Sequence, residues 1–187
     1  MDSPRKDDHI DYDPATGRMR SPPQQLFLEL TGRCNLCCVH CPVDYGTPAG
    51  RARGELSFAT IERLMPWLRA ARSVNLNVVG EPLIHSRFLD VLGCFGDDAS
   101  QVHFNTNGVA LTRRMASELV HRRVGSVIVS IDGLETNEAL RGVPYEVLRA
   151  KVELLCAEKR AQKSPLPLVG VAFTVMPRNR FELPLLL

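Results

Sequence analysis

The chain has 187 residues, 44% of them hydrophobic, and a formal net charge of +2. That length and apolar content are enough for one domain with a real core. The near-balanced charge gives no electrostatic case for a nucleic-acid or membrane partner. The longest apolar run, near Leu166 to Met176, is too short for a membrane span and contains proline and threonine. The amino-terminal stretch Met1 to Pro14 is polar, carries both charge signs and looks like neither a secretory signal nor a transit peptide, so the cytoplasm is the expected location. We take residues 1–24 as a polar extension and residues 25–187 as one folded core.

Short β-rich runs then alternate with helical patterns. Leu26 to Leu30 reads as the first strand, and a cysteine-rich loop follows it. A helix fits Phe58 to Arg69, capped by Ser57, with Phe58, Ile61, Leu64, Met65 and Leu68 on one apolar stripe and Pro66 predicting a kink. Val74 to Val79 is the second strand and Arg87 to Phe95 a short helix. Gln101 to Asn105 is the third strand, followed by a helix from Thr112 to His121. Ser126 to Ile131 is the fourth strand. Pro144 suits the first turn of a long helix to Gln162 that buries Val147, Leu148, Val152, Leu155 and Cys156. Leu168 to Met176 is the fifth strand, and Phe181 to Leu187 reads as the start of a helix cut short. Strands alternating with helices imply parallel β-α units, in either an open doubly wound sheet or a partial barrel.

The loop after the first strand contains Cys34, Cys38 and Cys41 at the spacing Cys-x3-Cys-x2-Cys. Three thiolates in a compact loop can hold three corners of an iron-sulfur cubane and leave one iron without a protein ligand. An open iron can bind and activate a small molecule, as catalytic metal sites do at their open position. Cys37 permits a second parse, Cys34-x2-Cys37 next to Cys38-x2-Cys41, which suits a zinc-binding interaction module. With Cys37 as a fourth ligand, the loop would suit an iron-sulfur electron-transfer protein. Six cysteines with no secretory signal point to a reducing compartment rather than a disulfide framework.

Polar clusters follow the later strands. Val79-Gly80-Glu81-Pro82 follows the second, Thr106-Asn107-Gly108 the third, and Ser130-x-Asp132-Gly133 closes the fourth. The carboxyl ends of parallel strands are where α/β folds gather ligands. The cysteine loop, its flanks Glu29, Thr31, Arg33, Asn35, His40 and Pro42, and the Gly80-Glu81-Pro82 string together resemble the radical SAM enzymes, over about Gln25 to Asn179. The flanks are most similar to members that modify peptides or build cofactors.

The resemblance implies an α/β partial (β/α)6 TIM-like barrel, with about five β-α units here and the last incomplete. It implies a 4Fe-4S cluster on Cys34, Cys38 and Cys41 whose open iron is chelated by S-adenosylmethionine. Reductive cleavage to a 5′-deoxyadenosyl radical would then serve hydrogen abstraction from a peptide or small cofactor precursor. It further implies cofactor contacts at His40, Gly80, Glu81, Thr106, Asn107, Ser130, Asp132 and Arg141, with Val171 and Phe173 beside the adenine. Flavodoxin or ferredoxin is the implied reductant. Against that family the core lacks a sixth strand and a carboxyl-terminal extension, so little coupled turnover is expected of this chain.

Overall fold

The computed structural model describes residues 12–43 and 53–186. Residues 1–11 of the expected polar extension lie outside the described part. The next stretch pairs β1 (Tyr12–Asp13) antiparallel with β2 (Arg18–Met19).

The core is a five-stranded parallel sheet of β3 (Gln25–Phe27), β4 (Ser73–Asn75), β5 (Val102–Thr106), β6 (Ser126–Ser130) and β7 (Leu168–Ala172). The strands lie side by side in chain order. Right-handed crossovers taken always in one direction put every helix on one face, which is how a barrel wall winds. A doubly wound sheet would reverse direction at a switch point. The crossovers carry α1 (Phe58–Ala70), α2 (Phe88–Gly93), α3 (Arg113–His121), α4 (Asn137–Arg141) and α5 (Tyr145–Ala161), and α6 (Leu183–Leu186) follows β7.

Strand alternation sets the core. Val102, Phe104, Val127 and Val129 are buried under the helices, while His103, Asn105, Ser126, Ile128 and Ser130 turn to the other, more open face. From α1 come Ile61, Met65 and Leu68, and from α5 Leu148 and Leu155. Ser57 caps α1 as expected by accepting from Thr60 N, and Thr112 caps α3 by accepting from Met115 N. Pro66 lies inside α1 without ending it. Two expectations change at α5: Pro144 is its cap residue, and Val147 stands 41% exposed because it falls outside the Leu148–Leu155 stripe.

Three strands stop earlier than their apolar patterns predict, for one physical reason. Beyond β4, the N–H groups of Val78 and Val79 donate to Glu29 Oε2 at 3.2 and 2.7 Å, and Gly80 N to Oε1 at 3.1 Å. Beyond β7, Thr174 N donates to Asp132 Oδ1 and Met176 N to Asn179 Oδ1, each at 2.7 Å. Past β3, Leu30 O accepts from Leu56 N at 2.8 Å, outside the sheet. The β pattern continues in the side chains, but the backbone groups find other partners.

Phe104 is the largest fully buried side chain and meets Phe88 edge-on, with centroids 5.5 Å apart. Phe104→Ala should cost about 3–5 kcal/mol in urea denaturation. Trp67, 57% exposed on α1, is the control, and Trp67→Ala should stay within about 0.5 kcal/mol.

Candidate functional site

The cysteine loop is held from both sides. Thr31 is buried, bridges to Glu55 and accepts Arg33 N on its hydroxyl at 3.1 Å. Further on, Val39 N donates to Leu140 O of α4 at 2.9 Å, and Cys41 N to Cys38 O at 3.1 Å. Cys34, Cys38 and Cys41 line one cavity of ≈ 220 Å³, and Cys37 faces solvent outside its wall. The same wall contains His40, Gly80, Glu81, Thr106, Asn107, Ser130 and Arg141. Seven of the eight cofactor-contact residues singled out in sequence therefore meet with the thiols at the carboxyl end of the sheet, Asp132 being the exception.

Glu81 lies almost wholly out of water, 2% exposed. Its Oε1 accepts from Thr106 Oγ1 at 2.7 Å and Leu83 N at 3.1 Å, and its Oε2 from Asn107 N at 2.7 Å. Burial still pushes its carboxyl above the ordinary value, against these three hydrogen bonds. Asn107, so fixed, reaches Asn35 Oδ1 at 2.7 Å and Cys34 Sγ at 3.6 Å with its amide nitrogen. Gly80 packs against the cysteine loop itself: a Cβ there would fall 1.8 Å from Thr31 O. The glycine is required by backbone meeting backbone, whatever the cavity holds.

Asp132 is fully buried and does not line the cavity. Its Oδ2 lies 2.6 Å from Arg141 Nε and 3.2 Å from His40 Nε2. Both approaches have the distance of an ion pair but not the alignment of a hydrogen bond, and His40 Nδ1 is buried with no partner. Asn137 and Asn179 hold the Asp132 backbone, through its N–H at 2.8 Å and its C=O at 2.8 Å. Arg141 then brings Nη1 to 3.9 Å from Cys38 Sγ. Asp132 thus sits one layer behind the wall and orients Arg141. Val171 is 49% exposed on the edge strand, and neither it nor Phe173 lines the cavity.

Sequence reasoning overlooked α4, the short helix that presents Arg141 and receives the cysteine loop at Leu140. It also treated Glu29 as a flank only. A carboxylate inside the apolar run Leu26 to Leu30 was the available signal.

Burial raises the Cys34 and Cys38 thiols above the usual thiol range. Among the described residues no three His, Cys, Asp or Glu side chains converge on a position for a single ion. Three thiols around one cavity, each reaching it from a different point of the loop, instead fit a cluster several ångströms across. Two side-chain donors, Asn107 Nδ2 and Arg141 Nη1, lie beside the sulfurs of Cys34 and Cys38.

Comparison with known proteins identifies the family. The family model described as Radical SAM superfamily matches residues 28–165, more than half of the chain. Mycofactocin maturase MftC of Mycobacterium tuberculosis (strain CDC 1551 / Oshkosh) is 34% identical over 120 residues, 63% of this chain and 30% of that protein. The tungsten-containing aldehyde ferredoxin oxidoreductase cofactor-modifying protein of Pyrococcus furiosus is 26% identical over 165 residues, 85% of this chain and 46% of that protein. Streptococcus suis SuiB bound to precursor peptide SuiA superposes with a TM-score of 0.64 at 15% identity, over 88% of this chain and 36% of that one. The chain spans less than half the length of these relatives.

The buried Glu81 makes stability depend on pH. Its folded pKa is raised, so the cost of keeping it charged is absent below the ordinary 4.5 and grows as pH rises through the folded value. Urea denaturation of cluster-free protein should therefore show wild type losing stability relative to Glu81→Gln as pH is raised from 4.5. A difference that stays constant with pH would place the carboxylate in a wetter site than this one.

Proposed function

The chain belongs to the radical SAM superfamily, and on that premise we propose that Cys34, Cys38 and Cys41 hold a 4Fe-4S cluster and that the adjoining cavity takes S-adenosylmethionine. The observation that carries this reading is the placement of these three thiols, without Cys37, on one wall with Gly80, Glu81, Thr106 and Asn107. When bound, the cluster and S-adenosylmethionine supply reductive cleavage to methionine and a 5′-deoxyadenosyl radical, the chemistry of this enzyme superfamily.

The chain's own residues bind and orient. Glu81 has three acceptor positions in use and one left for an ammonium group. Arg141, held by Asp132, offers guanidinium N–H groups both to Cys38 and to a carboxylate in the cavity. Asn107 and Arg141 draw charge from the sulfurs of Cys34 and Cys38, a recognised influence on cluster potential. His40 closes the loop side of the cavity against Asp132, and Ser130 provides a hydroxyl at the end of β6.

The substrate we propose is a peptide or a cofactor precursor. The relatives support this choice: one is a mycofactocin maturase, one is a cofactor-modifying protein, and SuiB has been captured with its precursor peptide. A flavodoxin- or ferredoxin-like reductant would deliver the electron. We place the protein in the cytoplasm, where its thiols stay reduced. Among the described residues no helix is long and apolar enough to cross a membrane.

Anaerobic reconstitution with iron and sulfide tests the reading. Cys34→Ala, Cys38→Ala and Cys41→Ala should each lose most of the bound iron, since two thiolates hold a cubane poorly. Cys37→Ala should keep it. Adding S-adenosylmethionine to the reduced protein should change its electron paramagnetic resonance spectrum. Bleaching by Cys37→Ala with retention in Cys38→Ala would reverse the ligand assignment and favour the electron-transfer or zinc alternative.

A further inference from the structure

Glu29 makes the densest set of side-chain contacts to backbone N–H groups at the cavity rim, and neither the thiols nor Glu81 accounts for it. Three consecutive amides, those of Val78, Val79 and Gly80, donate to its carboxylate at 3.2, 2.7 and 3.1 Å. Val78 is 60% exposed, so its own side chain does not anchor it; Asn77 Oδ1 accepts Asn105 N at 2.9 Å, and the Glu29 carboxylate takes the three amides that follow. Each trans peptide is planar, with its C=O directed opposite to its N–H. Three N–H groups gathered on Glu29 therefore turn the carbonyls of Asn77, Val78 and Val79 the other way. Asn77, Val78 and Val79 line the cavity and Glu29 does not, which makes the carbonyl side of this segment the cavity side.

We propose that Glu29 is a positioning residue that aims the carbonyls of Asn77 to Val79 into the cavity as acceptors for an ammonium group, completing the acceptor set begun by Glu81. The proposal rests on the S-adenosylmethionine reading above and adds the residue that holds this loop in its orientation. The Val79 side chain gives the segment less freedom than glycine would, and the carboxylate holds it in the one orientation that serves binding. Glu29→Gln is the informative change. It keeps the shape but replaces one acceptor by an NH₂ donor facing an amide N–H, so the three-bond clamp cannot form.

The test has two readouts on the full chain. In cluster-free protein, hydrogen exchange at Val78, Val79 and Gly80 should quicken by about tenfold or more in Glu29→Gln, as expected for a lost charge-assisted hydrogen bond. Exchange in β5 and β6 should be unchanged. In reconstituted protein with normal iron content, S-adenosylmethionine should bind about tenfold or more weaker to Glu29→Gln. An analogue lacking the α-amino group should bind equally to both proteins, so wild type discriminates the pair and the variant loses most of that discrimination. Glu29→Asp, which keeps the charge on a shorter arm, should recover part of it. Equal discrimination in wild type and Glu29→Gln overturns the proposal, as does quickened exchange spread evenly over the sheet. Failure of wild type to bind S-adenosylmethionine at all would instead overturn the cofactor reading beneath it.

Discussion

Carboxylates accepting backbone N–H groups across neighbouring loops are the interaction on which the site depends. A parallel sheet leaves its strand ends with unpaired donors, and the loops that follow must satisfy them or face water. Here Glu29 after β3 takes three amides of the β4 loop, and Glu81 in the β4 loop takes Asn107 N and the Thr106 hydroxyl beyond β5. On the far side, Asp132 after β6 takes Thr174 N beyond β7, and Glu182 returns the contact by accepting Leu134 N and Glu135 N at 2.6 and 2.8 Å. Three of the four neighbouring pairs of loops are thereby tied by a bond stronger than a neutral hydrogen bond.

The cysteine loop is fitted into this frame and would have no fixed shape alone. Gly80 lets the β4 loop lie against the carbonyl of Thr31, and Glu81 N donates to Arg33 O at 2.9 Å. Asn107 reaches it from β5, and Arg141 and Leu140 reach it from α4. The thiols are brought to a common wall by contacts from three separate β-α units. Such preorganisation is expensive, since several carboxylates are taken partly or wholly out of water, and the raised Glu81 carboxyl reports that cost. Binding sites commonly hold such strain because rigid elements elsewhere carry the fold.

The sheet shows a different balance at its rim. β5 and β6 are buried on one face along their length, whereas β7 has Leu168 63% and Val171 49% exposed and, among the described residues, pairs with no strand on its outer edge. An apolar edge of this kind invites pairing. The Asp132–Thr174 and Glu182 contacts nevertheless hold the segment after β7 to the β6 loop, so the edge is ordered where it meets the site.

Much of this was legible in the residues. Alternating β and helical periods establish parallel β-α units, and the caps Ser57 and Thr112 and the stripes Ile61–Met65–Leu68 and Leu148–Leu155 lie where local chemistry puts them, because period and capping are short-range properties. The three-cysteine spacing and the polar strings after successive strands named the wall of the cavity, since parallel strands deliver their carboxyl ends to one side. Tertiary structure alone decided where β4 and β7 end, because the competing acceptors, Glu29 and Asp132, lie more than forty residues away in the chain. It also decided that Asp132 stands behind the wall rather than in it, and that Glu29 holds the backbone of the loop that lines the cavity. A side chain's type tells what it can bond; which partner it meets depends on the folding of distant loops onto one another.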